Sequence, residues 1–87
     1  MMADTKTILR LLKTARGQMD GILKMVEENR YCIDISQQLM ATEAILNRAN
    51  KEILAAHLKH CVQEANSPEE RSAKIDEFVQ TLGRILK

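Results

Sequence analysis

Tryptophan is absent from this chain, and tyrosine and phenylalanine occur once each. The core must therefore be Leu, Ile, Val, Met and Ala, the residues of packed helices. One proline and three glycines leave few positions that break a helix. No apolar run approaches the length of a transmembrane span, and no signal-peptide pattern opens the sequence. Only two cysteines occur. Far apart on a long helix, they do not form the framework of a disulfide-stapled domain. These absences lead us to expect a cytoplasmic protein with reduced thiols and no membrane partner. The 87 residues make one domain, 1–87. A core of that size is marginal by itself, and assembly into oligomers is a common remedy.

Three helices are predicted, over about 4–28, 32–65 and 68–86, so the fold class is all-α. Asp4 or Thr5 can cap the first. Its residues Ile8, Leu12, Ala15, Met19, Ile22 and Val26 alternate four and three apart, an apolar seam of coiled-coil type. Gly17 and Gly21 each cost about 1 kcal/mol relative to Ala inside a helix. Close approach of a second helix is the expected reason for them. Glu28-Asn29-Arg30-Tyr31 reads as a short turn. The second helix continues the alternation with Ile35, Leu39, Thr42, Leu46, Ala49 and Ile53. Ile33, Met40, Ile45, Leu54, Leu58 and Val62 widen its apolar surface beyond one seam, which argues for more than a hairpin partner. Ser67-Pro68-Glu69-Glu70 is a capping box with proline at the first helical position. Ile75, Phe78, Val79, Leu82, Ile85 and Leu86 form the apolar face of the third helix.

The chemistry-bearing residues sit on the second helix. His57-x-x-x-Cys61 puts an imidazole and a thiol on one helix face, and Cys32 lies 25 residues before His57. Two thiols and one imidazole form a soft three-donor set that suits monovalent copper. Along one helix, Cys32 and Cys61 are roughly 43 Å apart at 1.5 Å per residue. A shared site therefore requires a second protomer. Two antiparallel copies of the helix, related by a dyad near Ile45 and Leu46, bring Cys32 of one beside His57 and Cys61 of the other. The bland alternative is that each cysteine is a small buried hydrophobe. His60 falls on a neighbouring face, beside the site or in solvent.

The net charge is only +1, so its distribution carries the information. Lys6, Arg10, Lys13 and Lys24 share one face of the first helix, opposite the Ile8/Leu12/Met19 seam, with Arg16 nearby. Arg48, Lys51 and Lys59 add positive charge to the second. Such a face is either simply solvated or a phosphate-binding stripe. No helix-turn-helix, zinc-finger or basic-zipper pattern is present.

Gly17-Gln18-Met19-Asp20-Gly21-Ile22, Glu27-Glu28-Asn29-Arg30-Tyr31-Cys32-Ile33-Asp34-Ile35, Gln37-Gln38 and His57-Leu58-Lys59-His60-Cys61-Val62 together resemble the copper-sensing operon repressor (CsoR) family. The resemblance runs from about Thr7 to Leu86. It implies an antiparallel four-helix-bundle dimer of helices 1 and 2, paired into a disc-like homotetramer. It implies copper(I) held by Cys32, His57 and Cys61 across the dimer interface, with Tyr31 and Glu77 behind them. It implies that the apo form binds operator DNA and that copper(I) releases it, with Arg48 the basic contact on helix 2. Many members carry arginine where this chain has Leu11. Lys6, Arg10, Lys13, Arg16 and Lys51 are then the further candidates for phosphate contact.

Relatives of that family sense nickel and cobalt, formaldehyde, or persulfides. The persulfide sensors lack the histidine, and the nickel and formaldehyde sensors lack the second cysteine. All three residues are present here, which favours copper(I). Zinc prefers a fourth ligand. Two other classes compete: a thiol-redox or persulfide sensor linking Cys32 to Cys61, and a copper-storage or chaperone protein without DNA. An enzyme is disfavoured, because no nucleophile, base and oxyanion arrangement is visible and no small-molecule substrate is implied.

Overall fold

Asp4 starts the first helix. Its carboxylate accepts from the Thr7 backbone N–H at 3.1 Å and from the Thr7 hydroxyl at 2.6 Å. Of the two candidate caps, Asp4 is the one used. The computed structural model describes residues 1–85. Its elements are α1 (Thr5–Glu27), α2 (Cys32–Glu64) and α3 (Pro68–Ile85), close to the predicted limits, and the fold is all-α with no strand among the described residues. Leu86 and the Ile85 side chain, both assigned from the sequence to the third apolar face, lie outside the described residues.

The turn after α1 is a Schellman stop. Asn29 adopts φ 54, the left-handed region that asparagine tolerates better than most residues. Asn29 N–H donates to the Val26 carbonyl at 3.1 Å and Arg30 N–H to the Met25 carbonyl at 3.0 Å. Two carbonyls left free at the helix end are thereby satisfied. Tyr31 is extended (ψ 132) and begins α2 without a side-chain cap. Ser67 Oγ accepts from Glu70 N–H at 3.1 Å, as the capping box predicts. The return contact differs by one residue, because Glu70 Oε2 accepts from Asn66 N–H at 3.1 Å instead of Ser67 N–H.

α1 packs on α2, and among the described residues α3 packs on α2 alone. The buried helical residues are Ile8, Leu11, Ala15 and Ile22 on α1 and Thr42 and Ala49 on α2. The predicted α1 seam is thus half displaced. Leu11 replaces Leu12, which is 42% exposed, and Met19 and Val26 are also exposed. The α2 seam behaves likewise, since Leu39 and Leu46 are exposed. Gly17 and Gly21 do not mark a close helix approach within the chain, because a Cβ at either meets open space. One directional bond crosses the seam: the Thr42 hydroxyl donates to Gln18 Oε1 at 2.8 Å, and the Gln38 carbonyl lies 3.2 Å away.

This hairpin leaves much surface uncovered. The chain exposes 6633 Å², against about 5200 Å² for a compact monomer of 9.9 kDa. Its extents are 57 × 28 × 12 Å, a thin slab whose longest edge is set by α2. No large side chain among those described is fully buried. Among the described residues no helix is long and apolar enough to cross a membrane.

Candidate metal centre and nucleic-acid faces

The i, i+4 spacing of His57 and Cys61 works as expected. Cys61 Sγ lies 3.4 Å from His57 Nε2, and both side chains are half-buried. A soft sulfur donor and an imidazole nitrogen therefore face one patch near the C-terminal end of α2. Cys32 stands at the first residue of the same helix, exposed and unbridged. Among the described residues no group of three His, Cys, Asp or Glu side chains comes together within one chain. The chain thus carries two candidate donors at one end of α2 and the third at the other.

The three donors nevertheless share a stripe. Taking the α1–α2 contact as reference, Cys32, Leu39, Leu46, His57 and Cys61 lie roughly a quarter-turn around α2 at 100° per residue. Leu12, Met19 and Val26 lie to the same hand around α1. Because the two helices run antiparallel, both offsets fall on the same side of the hairpin. That side is a broad exposed apolar face, with Leu12, Met19, Val26, Leu39 and Leu46 all open and donor residues at both ends. Leu46 stands near the middle of the stretch from Cys32 to Cys61.

Tyr31 and Glu77 are not gathered at this patch. Tyr31 is 65% exposed. Glu77 is exposed, and its backbone carbonyl accepts from Thr81 Oγ1 at 3.0 Å. His60 is exposed.

Except for Arg16, which stands beside Leu12 at the edge of that apolar face, the cations occupy the other sides of the hairpin. Lys6, Arg10 and Lys13 line a shallow groove with Leu9 and Thr14 on the back of α1, away from α2. Arg16 borders Leu9, Leu12 and Lys13. Lys51 and Lys59 line a second groove with Glu52, Ala55 and Ala56. Arg48 lies on the same side of α2, opposite the donor stripe. Among the described residues these cations form no ion pairs. The ion pairs present are Lys24–Glu28 at 3.9 Å and Arg30–Glu28 at 4.0 Å, both solvent-exposed. Such exposed pairs contribute little. Gln18 is the residue that sequence reasoning passed over. The available signal was Thr42, a hydroxyl in the middle of an apolar seam, which needs a partner when buried.

A family description fits this arrangement. The chain belongs to the metal-sensitive transcriptional repressor family, whose profile matches residues 4–84. It is therefore grouped with transcriptional repressors and not with enzymes. The copper-sensing transcriptional repressor CsoR of Mycobacterium ulcerans is 40% identical over 77 residues, 88% of this chain and 66% of that protein. The chain thus spans about two thirds of that relative's length. The crystal structure of the copper-sensing repressor CsoR with Cu(I) from Geobacillus thermodenitrificans NG80-2 superposes with a TM-score of 0.82 at 35% identity, covering 94% of this chain and 85% of that one. The nickel-responsive transcriptional regulator InrS superposes with a TM-score of 0.79 at 25% identity, covering 97% and 94%. The shared fold thus carries more than one metal response.

Proposed function

We propose that this chain is a copper(I)-responsive repressor. It binds operator DNA in the apo form and leaves it when copper(I) occupies a Cys32, His57, Cys61 site shared between two subunits. The observation that carries this reading is the donor stripe itself. His57 and Cys61 are paired at 3.4 Å at one end of an exposed apolar face, and Cys32 stands at the other end. A second copy laid antiparallel on that face, with a dyad near Leu46, covers the leucines and completes both donor sets at once. The result is a four-helix-bundle homodimer, and two dimers form the homotetramer. The protein is single-domain and cytoplasmic, where its thiols stay reduced.

The donor chemistry favours copper(I) over nickel. Two sulfurs and one imidazole are soft and three in number, whereas nickel favours harder nitrogen and oxygen donors in square-planar or tetragonal sites. Cys32 of one subunit and His57 and Cys61 of the other would hold the copper(I), which would link the two subunits. His57 uses one ring nitrogen as donor, and the other is free to engage Tyr31 or Glu77, which would orient the ring. On the far sides of the hairpin, Lys6, Arg10, Lys13, Arg48 and Lys51 meet the phosphates, joined by Arg16 at the edge of the apolar face. Such binding weakens steeply with salt, because released counterions drive much of it.

The test is an anaerobic copper(I) titration of the DNA-bound protein, repeated with Cys32→Ala and His57→Ala. Wild type is expected to release DNA as copper(I) fills the sites. Cys32→Ala loses that release, and His57→Ala binds copper(I) through its thiols but responds poorly. Release by sulfide donors with Cys32–Cys61 linkage, in place of copper(I), would make the protein a thiol sensor. Copper(I) binding without DNA binding would make it a storage or chaperone protein.

A further inference from the structure

Thr42 is the one polar side chain among the buried described residues, 2% exposed in the middle of the α1–α2 seam. Its hydroxyl lies 2.8 Å from Gln18 Oε1 on α1 and 3.2 Å from the Gln38 carbonyl one turn back on its own helix. A hydroxyl carries a single proton, so the two acceptors compete for it. Given to Gln18, the proton ties α1 to α2 at one axial position. Given to Gln38, it leaves the helices held by Ile8, Leu11, Ala15, Ile22 and Ala49, whose apolar attraction is non-directional. Neither arrangement orphans the buried donor, which is the outcome that costs heavily. Gln18 is half-buried and can turn its amide to water. The Thr42 proton thus has two alternative placements, one on each helix.

The contact's place in the protomer gives those placements a use. Thr42 lies on α2 between Cys32 and His57, and Gln18 lies on α1 between Lys13 and Lys24. Among the described residues α3 touches α2 and not α1, so the α1–α2 seam is the contact that joins the donor stripe to the α1 cations within the chain. Among the described residues Thr42–Gln18 is the only side-chain hydrogen bond that crosses it.

We propose that the Thr42–Gln18 bond is a register latch that couples copper(I) occupancy on α2 to the DNA-binding face of α1. The proposal rests on the copper-responsive reading above. DNA and copper(I) favour opposite positions of the latch, and each therefore weakens the other by the same factor. Thr42 and Gln18 are positioning residues that touch neither ligand.

The test measures the Kd for a DNA duplex selected by its binding to the apo protein, anaerobically, with and without one copper(I) per protomer. Thr42→Val, Gln18→Met, their double variant and Thr42→Ser are compared with wild type. Copper(I) stoichiometry, oligomeric state and Tm are measured alongside. Thr42→Val and Gln18→Met are expected to bind copper(I) at wild-type stoichiometry. Their ratio of copper-loaded to apo Kd falls roughly three- to tenfold, the range one interhelical hydrogen bond supplies. The double variant loses no more than either single one, as expected of one shared interaction. Thr42→Ser keeps the wild-type ratio. Gln18→Met leaves the Thr42 proton on Gln38, so the inference stays testable if Thr42→Val does not fold. A lowered Tm with a wild-type Kd ratio in both single variants would mean a merely structural contact and overturn the latch. Failure of Thr42→Ser to retain the ratio overturns it too. If wild type itself shows no copper-dependent change in Kd, the copper-responsive reading falls first and takes the latch with it.

Discussion

Asp4 shows how one exposed carboxylate sets a boundary. The Thr7 hydroxyl, then the Thr7 backbone N–H, hold its pKa below the ordinary 3.8. A carboxyl whose folded pKa is depressed contributes its full stability above its unfolded value and loses it as pH falls through the lower folded value. Thermal unfolding of wild type and Asp4→Ala should therefore differ at neutral pH, with wild type the more stable. The gap should narrow only as pH drops below 3.8. A gap that stays constant down to pH 2 would mean that the cap charge plays no part. The same local logic made His57 and Cys61 legible from sequence, because residues four apart on a helix are neighbours. Gln18 was not legible, because its partner is 24 residues away and only the packed hairpin joins them.

At the scale of the element, stops and starts were readable and the seam was only partly so. Asn29 and Ser67 act through bonds within a few residues, which depend on sequence alone. The α1 seam depends on which neighbour a leucine faces. Leu11 and Leu12 are consecutive, about 100° apart on the helix, and both are apolar. Periodicity finds the wide stripe they share but cannot say which part faces α2 and which faces another chain. Gly17 and Gly21 raise the same question. Each weakens α1, and nothing among the described residues packs against either. Gly17→Ala and Gly21→Ala should each raise unfolding stability by about 0.5–1 kcal/mol, measured by urea denaturation. Both residues lie on the side of α1 that carries Lys6, Arg10, Lys13 and Lys24. A fall in stability would therefore reveal a second protein chain seated on the basic face.

For the whole molecule, the apolar face and the incomplete donor set are two views of one requirement. A thin slab with open leucines needs a cover, and two donors need a third. In the proposed assembly a second copy supplies both, with the dyad near Leu46. Placing a carboxylate there tests the two together. In Leu46→Glu, two like charges meet beside the dyad in an apolar seam, where an unpaired buried charge is costly. The variant should sediment as a smaller species than wild type. It should also bind copper(I) more weakly, although Cys32, His57 and Cys61 are all intact, because the partner's donors no longer arrive. Leu46→Met, which keeps an apolar side chain of similar volume, should retain assembly and affinity. A Leu46→Glu protein that dissociates yet holds copper(I) as tightly as wild type would separate metal binding from assembly. Such a result would overturn the shared site, because the length of α2 keeps Cys32 away from His57 and Cys61 within one chain.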